Sequence, residues 1–200
     1  MGSSRHGAPA GPGRAAGVLL AAGAGRRLGR PKALVELAGE RLVDRGARML
    51  RAAGCTPVIV VTGAAPVRVP GATVVHNPGW NSGMGSSLRA GLAALPPGCP
   101  AAVVALVDQP GITAEAVRRL VAARAAGAGL VVATYGGRPR NPVLIGHEYL
   151  AAVAESATGD AGARGFLRAH PDLVTEVPCD DVADPGDIDT PADLAAWNRR

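Results

Sequence analysis

The 200-residue chain is nearly without lysine: Lys32 is the only one, against twenty arginines. It is also poor in aromatics, with two Trp, two Tyr and one Phe. So few rings exclude a single-stranded nucleic-acid platform, which stacks bases on aromatic faces, and they argue against an aromatic-rich β-sandwich. Its three cysteines, Cys55, Cys99 and Cys179, are odd in number and far apart, with no C-x-x-C pair. Neither a disulfide framework nor a zinc site follows, so a reducing compartment and a cytoplasmic location are expected. Apolar runs fall far short of a membrane span, and "MGSSRHGAPAGPGRAA" has no apolar centre of the signal-peptide kind. The net charge of +5 is modest and the arginines are scattered, which speaks against a nucleic-acid patch and leaves small anions as partners.

What is present is a repeating alternation. The runs "GVLLAA", "PVIVVTG", "ATVVHN", "AAVVALVD" and "GLVVATY" are bounded by Gly, Pro, Asn or Asp and read as strands buried on both faces. Helical segments lie between them: "RLVDRGARMLRAAG", "SSLRAGLAAL" and "TAEAVRRLVAARAAG", the last capped by Thr113. Strand alternating with helix predicts an α/β fold, three-layered, with right-handed crossovers and a mostly parallel sheet. After about residue 135 the pattern loosens. "RNPVLI" and "LVTEVPC" read as strands, "HEYLAAVAES" and "AGARGFLRAH" as short helices, and "TPADLAAWNRR" as a last helix with Thr190 as cap and Pro191 at its first position. Residues 1–16 are expected to form a flexible tail and residues 17–200 one domain.

The stretch "GVLLAAGAGRRLGRPKALVEL" leaves the first strand at the sheet edge where ligands bind. Its glycines, Gly23, Gly25 and Gly29, are spaced G-x-G-x-x-x-G, which is not the dinucleotide fingerprint, and Lys32 is not preceded directly by glycine, as a Walker loop requires. The chemistry is nevertheless that of an anion cradle. Glycines let backbone N–H groups approach phosphate, Arg26 or Arg27 can fork onto its oxygens, and Lys32 supplies a compact point charge. In a chain that uses arginine everywhere else, a lone lysine inside such a loop points to a role that a guanidinium does not fill. Asp108 in "VVALVDQPGIT" follows a strand and suits either a turn or a magnesium ligand. In "DPGDIDTPADL", Asp187 and Asp189 are two residues apart on an extended segment, facing one way, with helix capping as the plainer alternative.

The residues "LLAAGAGRRLGRPKALVEL" resemble the L-A-A-G-x-S/G-x-R-x-G-x-x-K signature of the MobA/MocA-like nucleotidyltransferases. Further blocks are similar: "HNPGWNSGMGSSLRAGL", the D-Q-P at Asp108, "GRPRNPVLI", "ATGDAGARGFL" and "DIDTPADL". The resemblance implies a Rossmann-like, GT-A-like fold and transfer of CMP from CTP to the terminal phosphate of molybdopterin, with pyrophosphate released. It implies Arg27, Lys32 and Asp108 as catalytic residues. Leu20, Ala21, Ala22, Gly23, Ala24, Gly25, Gly85, Ser86 and Ser87 would bind the nucleotide, and Asn141, Asp160, Gly162 and Arg164 the acceptor. Asp108 and Asp189 would hold Mg²⁺, or Mn²⁺ in its place. Alanine at position 22 favours CTP over GTP, while Asn141 stands where the family usually has histidine. Alternatives are GTP-dependent guanylyl transfer, a sugar or alcohol phosphate as acceptor, or a non-catalytic cofactor chaperone. A client molybdoenzyme is a further partner that the resemblance suggests, and neither nucleic acid nor membrane is expected.

Overall fold

The computed structural model describes residues 15–200; the expected tail, apart from Ala15 and Ala16, lies outside the described residues. In chain order the strands and helices are β1 (Ala16–Leu20), β2 (Glu36–Leu37), β3 (Glu40–Arg41), α1 (Leu42–Ala52), β4 (Val58–Thr62), β5 (Thr73–His76) and α2 (Met84–Ala93). There follow β6 (Ala101–Leu106), α3 (Ala114–Ala125), β7 (Leu130–Tyr135), β8 (Arg138–Gly146), α4 (His147–Ser156), α5 (Arg164–Ala169), β9 (Val174–Pro178) and α6 (Pro191–Asn198).

Seven strands form one sheet in the order β5-β4-β1-β6-β8-β7-β9. All run parallel except β8, which pairs antiparallel with both of its neighbours. Its reversal comes from a two-residue hairpin. Gly136 and Gly137 both take positive φ, 56° and 69°, which the tight turn between two twisted strands demands.

The period-two alternation of each strand separates two apolar layers. Leu19, Val60, Val103, Val131 and Leu144 face one core with α1 and α3, whereas Val18, Ile59, Val104, Val132 and Ile145 face the other with α2, α4 and α5. Both faces of the central strands are covered, so these read as near-continuous apolar runs. The edge strands β5 and β9 are largely exposed, which corrects the reading of "ATVVHN" as buried on both faces. Two helices dock closely on β1 because each offers a glycine. A methyl group on Gly46 of α1 would lie 2.8 Å from Leu19 Cδ1, and one on Gly91 of α2 would lie 2.5 Å from Val18 Cγ1. Thus β1 is clamped from both sides, and the loop that leaves it starts from a fixed point.

The chain passes from β1 to β4 on one flank and places β6 on the other. A crevice therefore opens beyond the carboxyl ends of β1 and β6, where the strand order reverses. The Gly23–Lys32 loop and Asp108 both leave the sheet there. No helix among the described residues is long and apolar enough to cross a membrane.

Candidate active site

The loop after β1 folds back upon itself. Gly25 takes φ +58° and its carbonyl accepts from the N–H groups of Leu28 and Gly29, both at 2.9 Å, while Lys32 N–H donates to the carbonyl of Gly23 at 3.2 Å. These bonds return Lys32 to the mouth of β1, and a short 3₁₀ turn over Lys32–Leu34 then buries Ala33. Only glycine serves at position 25, because a Cβ there would lie 2.1 Å from the Arg30 carbonyl oxygen.

Lys32 ends at the centre of the crevice. Its Nζ donates to Asp108 Oδ2 at 2.5 Å and also to Asp189 Oδ1, so one ammonium is shared between two carboxylates. Its side chain is only 16% exposed, against 71% for Arg27, which reaches Asp189 Oδ2 from the solvent side at 2.9 Å. Burial works against the Lys32 charge, but the fields and hydrogen bonds of Asp108 and Asp189 outweigh it and hold its pKa above the ordinary lysine value. For Asp189 the hydrogen bond from Lys32 dominates and lowers its pKa.

Asp189 arrives from far along the chain and is held by local hydrogen bonds. Ile188 N–H donates to the Asp108 carbonyl at 2.8 Å, pinning the segment to the end of β6. Beyond it Thr190 and Asp193 form a reciprocal capping box at the start of α6, and the Asp193 carboxylate also accepts from Asp189 N–H. Capping and site geometry therefore coexist: Thr190 and Asp193 cap the helix, which leaves the Asp189 carboxylate for Lys32. Asp187 points elsewhere, accepting from Gln109 Nε2 at 2.9 Å, and burial raises its pKa. Asp184 pairs with Arg200.

Two cavities adjoin this centre and share Leu106. The smaller, about 210 Å³, is lined by Leu20, Ala22, Gly23, Lys32, Met84, Ser87, Asp108 and Asp160, among others. The larger, about 690 Å³, holds Gln109, Asn141, Arg164 and Asp187 together with Arg138, Arg140, Arg168 and Glu176. Of the nine residues expected to bind nucleotide, Leu20, Ala22, Gly23 and Ser87 line the small cavity. Ala21, Ala24, Gly25, Gly85 and Ser86 shape the loops behind it. Gly85 N–H donates to the Gly159 carbonyl at 2.8 Å, and the Ser86 hydroxyl bonds the carbonyls of Gly79 and Gly83, both at 2.9 Å.

The residues expected at the acceptor divide between the two cavities. Asn141 and Arg164 face the large one, Asp160 faces the small one, and Gly162 packs beside Met84. Sequence reasoning missed Asn77, buried within the quoted "HNPGW" stretch, whose Nδ2 donates to both Ser86 and Ser87 hydroxyls at 2.8 and 3.1 Å. It also missed Arg138, Arg140 and Arg168. The first two stand in the quoted "GRPRNPVLI", but nothing local showed that they meet α5.

The donor set suits a hard divalent cation. Asp108 and Asp189 already clasp one positive group, and a pair of carboxylates with phosphate and water completing the shell is the usual seat of magnesium or manganese. Among the described residues no three His, Cys, Asp or Glu side chains are placed to cage an ion by themselves. All three cysteines are free and buried, and burial pushes the Cys55 thiol up to about 12, so none supplies a nucleophile.

Residues 17–174 match the MobA-like NTP transferase domain. The chain is 42% identical over 188 residues to the nicotine blue oxidoreductase of Paenarthrobacter nicotinovorans, a likeness covering 87% of this chain and 91% of that one. It is 38% identical over 115 residues to the molybdenum cofactor guanylyltransferase of Rhodobacter capsulatus, covering 55% and 59%. Among solved structures, Rv0371c of Mycobacterium tuberculosis H37Rv in complex with manganese superposes with a TM-score of 0.77 at 25% identity, covering 92% and 97%.

Proposed function

Because the chain belongs to the MobA-like NTP transferase family and is a nucleotidyltransferase of that kind, we propose that it transfers CMP from CTP to the terminal phosphate of a molybdopterin-type acceptor, releasing pyrophosphate. The observation that carries this reading is the Lys32 ammonium clasped by Asp108 and Asp189 at the ligand edge of the sheet. A cation seat and a mobile positive charge, side by side next to a glycine loop, match the needs of a triphosphate cut at its α-phosphorus.

In this mechanism an acceptor phosphate oxygen forms a bond to the α-phosphorus while the bond from that phosphorus to the α,β-bridging oxygen breaks, and pyrophosphate carries the electron pair away. The glycine loop and Arg27 hold the β- and γ-phosphates. Lys32 moves from the carboxylates to the α-phosphate and offsets the charge that builds there. Asp108 and Asp189 would hold the Mg²⁺ or Mn²⁺ ion, which when bound supplies charge neutralisation and orients the phosphates. Ser87, at the small cavity, and Gly85 and Ser86 behind it form the base and ribose side. Asn141 and Arg164 receive the acceptor, with Asp160 and Gly162 closing the edge between the sites. Positioning and charge do the work, and no protein nucleophile takes part.

Alanine at position 22 supports CTP. The likeness to a guanylyltransferase supports GTP as the competing nucleotide. The test follows pyrophosphate release from CTP and GTP separately, with molybdopterin and Mg²⁺ or Mn²⁺. We expect CTP to be preferred, and Asp108→Asn and Asp189→Asn each to lower turnover by about 10² or more. Full metal-dependent turnover in Asp108→Asn would sink the metal assignment.

The name of the 42%-identical relative supports a second reading, in which the chain carries an oxidoreductase activity beside nucleotidyl transfer. Chain-dependent reduction of nicotine blue by an added two-electron donor, with the donor oxidised in step, would favour that reading.

A further inference from the structure

The large cavity carries charge that the reacting phosphate does not call for. Arg138 and Arg140 stand two residues apart on β8 and so share one side of the strand; Arg164 and Arg168 stand four apart on α5 and share one helix face. All four line the same cavity, and none lines the small one beside Lys32. Among the described residues none of them is ion-paired, whereas the arginines at positions 41, 48, 118, 119 and 124 each hold a carboxylate. The cavity wall has only Glu176 and Asp187 as acids, so guanidinium groups outnumber carboxylates four to two even when both are ionised. Clustering like charges around a concavity is costly unless an anion enters.

Were these arginines there for the attacking phosphate alone, they would line the boundary with the Lys32 crevice. Instead they surround the space that the body of an acceptor would fill. Much of the remaining wall is aliphatic, with Leu106, Val132, Val143, Leu167 and Val174, beside the polar Gln109 and Asn141. Its volume, about 690 Å³, is that of a site for a ligand well beyond a bare phosphate.

We propose that the acceptor carries a second anionic group, separate from the phosphate that attacks, and that Arg138, Arg140, Arg164 and Arg168 form its subsite. The assignment of this cavity to the acceptor rests on the nucleotidyl-transfer reading; the anion subsite itself is a binding property and is tested as one.

The experiment is a calorimetric titration of the full chain, free of nucleotide and metal, with two open-chain probes that differ by one anionic group: sorbitol 6-phosphate and 6-phosphogluconate. We expect 6-phosphogluconate to bind about tenfold tighter, and the preference to shrink as ionic strength rises. Arg138→Gln and Arg168→Gln, both at exposed positions, should each cut the preference to less than about threefold, with thermal melting reporting that the variants are folded. Equal binding of the two probes, no binding of either, or a preference that survives both arginine variants and disappears in Lys32→Ala overturns the proposal. If nucleotidyl transfer fails with every acceptor while the arginine-dependent preference persists, the reading of the reaction falls and the anion subsite stands.

Discussion

Lys32 joins the chain's composition to its chemistry. An ammonium is a compact donor that fits between two carboxylate oxygens and can leave them for a phosphate, whereas a guanidinium is a wide planar fork whose charge is spread over three nitrogens. In a seat only 16% exposed, with Asp108 and Asp189 on either side, the wider group meets both carboxylates at once and is held there. Lys32→Ala should therefore lower kcat/KM for pyrophosphate release by about 10²–10³, the range for losing one preorganised charge donor. Lys32→Arg should recover less than a tenth of wild-type turnover despite keeping the charge. An arginine variant as active as wild type would remove the reason for the single lysine. In the metal-free crevice the raised pKa keeps the Lys32 ammonium charged across the neutral range.

Elements carry these side chains to one point, and two short segments do so in different ways. The loop after β1 depends on Gly25, whose φ and lack of side chain allow the backbone to pass the Arg30 carbonyl. Gly25→Ala should raise the KM for nucleotide at least tenfold and also lower the melting temperature, since the clash with the Arg30 carbonyl displaces a loop whose Leu28 is buried in the core. The segment before α6 depends on its cap. Thr190→Ala removes one half of the capping box and should cost about 1 kcal/mol, a melting shift of roughly 2–4 °C, and it should also weaken metal-dependent turnover by loosening Asp189. Such local devices are what a sequence displays well. Thr113 and Thr190 cap the helices that their positions predict, and the run "GLVVATY" contains β7, which begins one residue after its glycine. The Gly136–Gly137 turn is equally local, a two-glycine hairpin signal between apolar runs; "RNPVLI" reads as the strand that follows it, but its antiparallel direction went unread. The brief β2–β3 hairpin, turning at Ala38 and Gly39, was missed because two-residue strands leave no periodicity to read.

At the scale of the molecule, the sheet order and the meeting of distant segments decide what a site contains, and here local pattern has least to say. Asp108 and Asp189 could be read as a pair only because a motif resemblance joined them; their meeting spans 81 residues and depends on the Ile188 to Asp108 backbone bond. For Arg138 and Arg140 the resemblance singled out only the neighbouring Asn141, and for Arg168 only Arg164, so each alone reads as a solvated arginine on a strand or helix. Charge pairing away from the site is likewise a property of the whole chain, and it sets the response to acid. Glu40 has its pKa lowered by the hydrogen bond from Arg48; for Glu148 and Asp184, burial opposes the shift, yet hydrogen bonds from Arg124, and from Gly186 N–H and Arg200, prevail. A carboxylate depressed in the folded state adds stability that is fully present above its unfolded value and is lost as pH falls through its folded one. With ordinary values of 4.5 for Glu and 3.8 for Asp, the melting temperature should hold level above about pH 6 and fall steeply below about pH 4. Protonation also adds to a chain already at +5, so self-repulsion deepens the fall, and added salt should restore part of it. Glu40→Gln separates the two causes. It should lower the melting temperature by a few degrees or less at pH 7, as an exposed pair allows, and by progressively less as pH falls through the lowered folded-state pKa of Glu40 and the wild-type carboxyl becomes neutral. A loss that does not shrink with falling pH would mean that Glu40 acts through packing rather than charge.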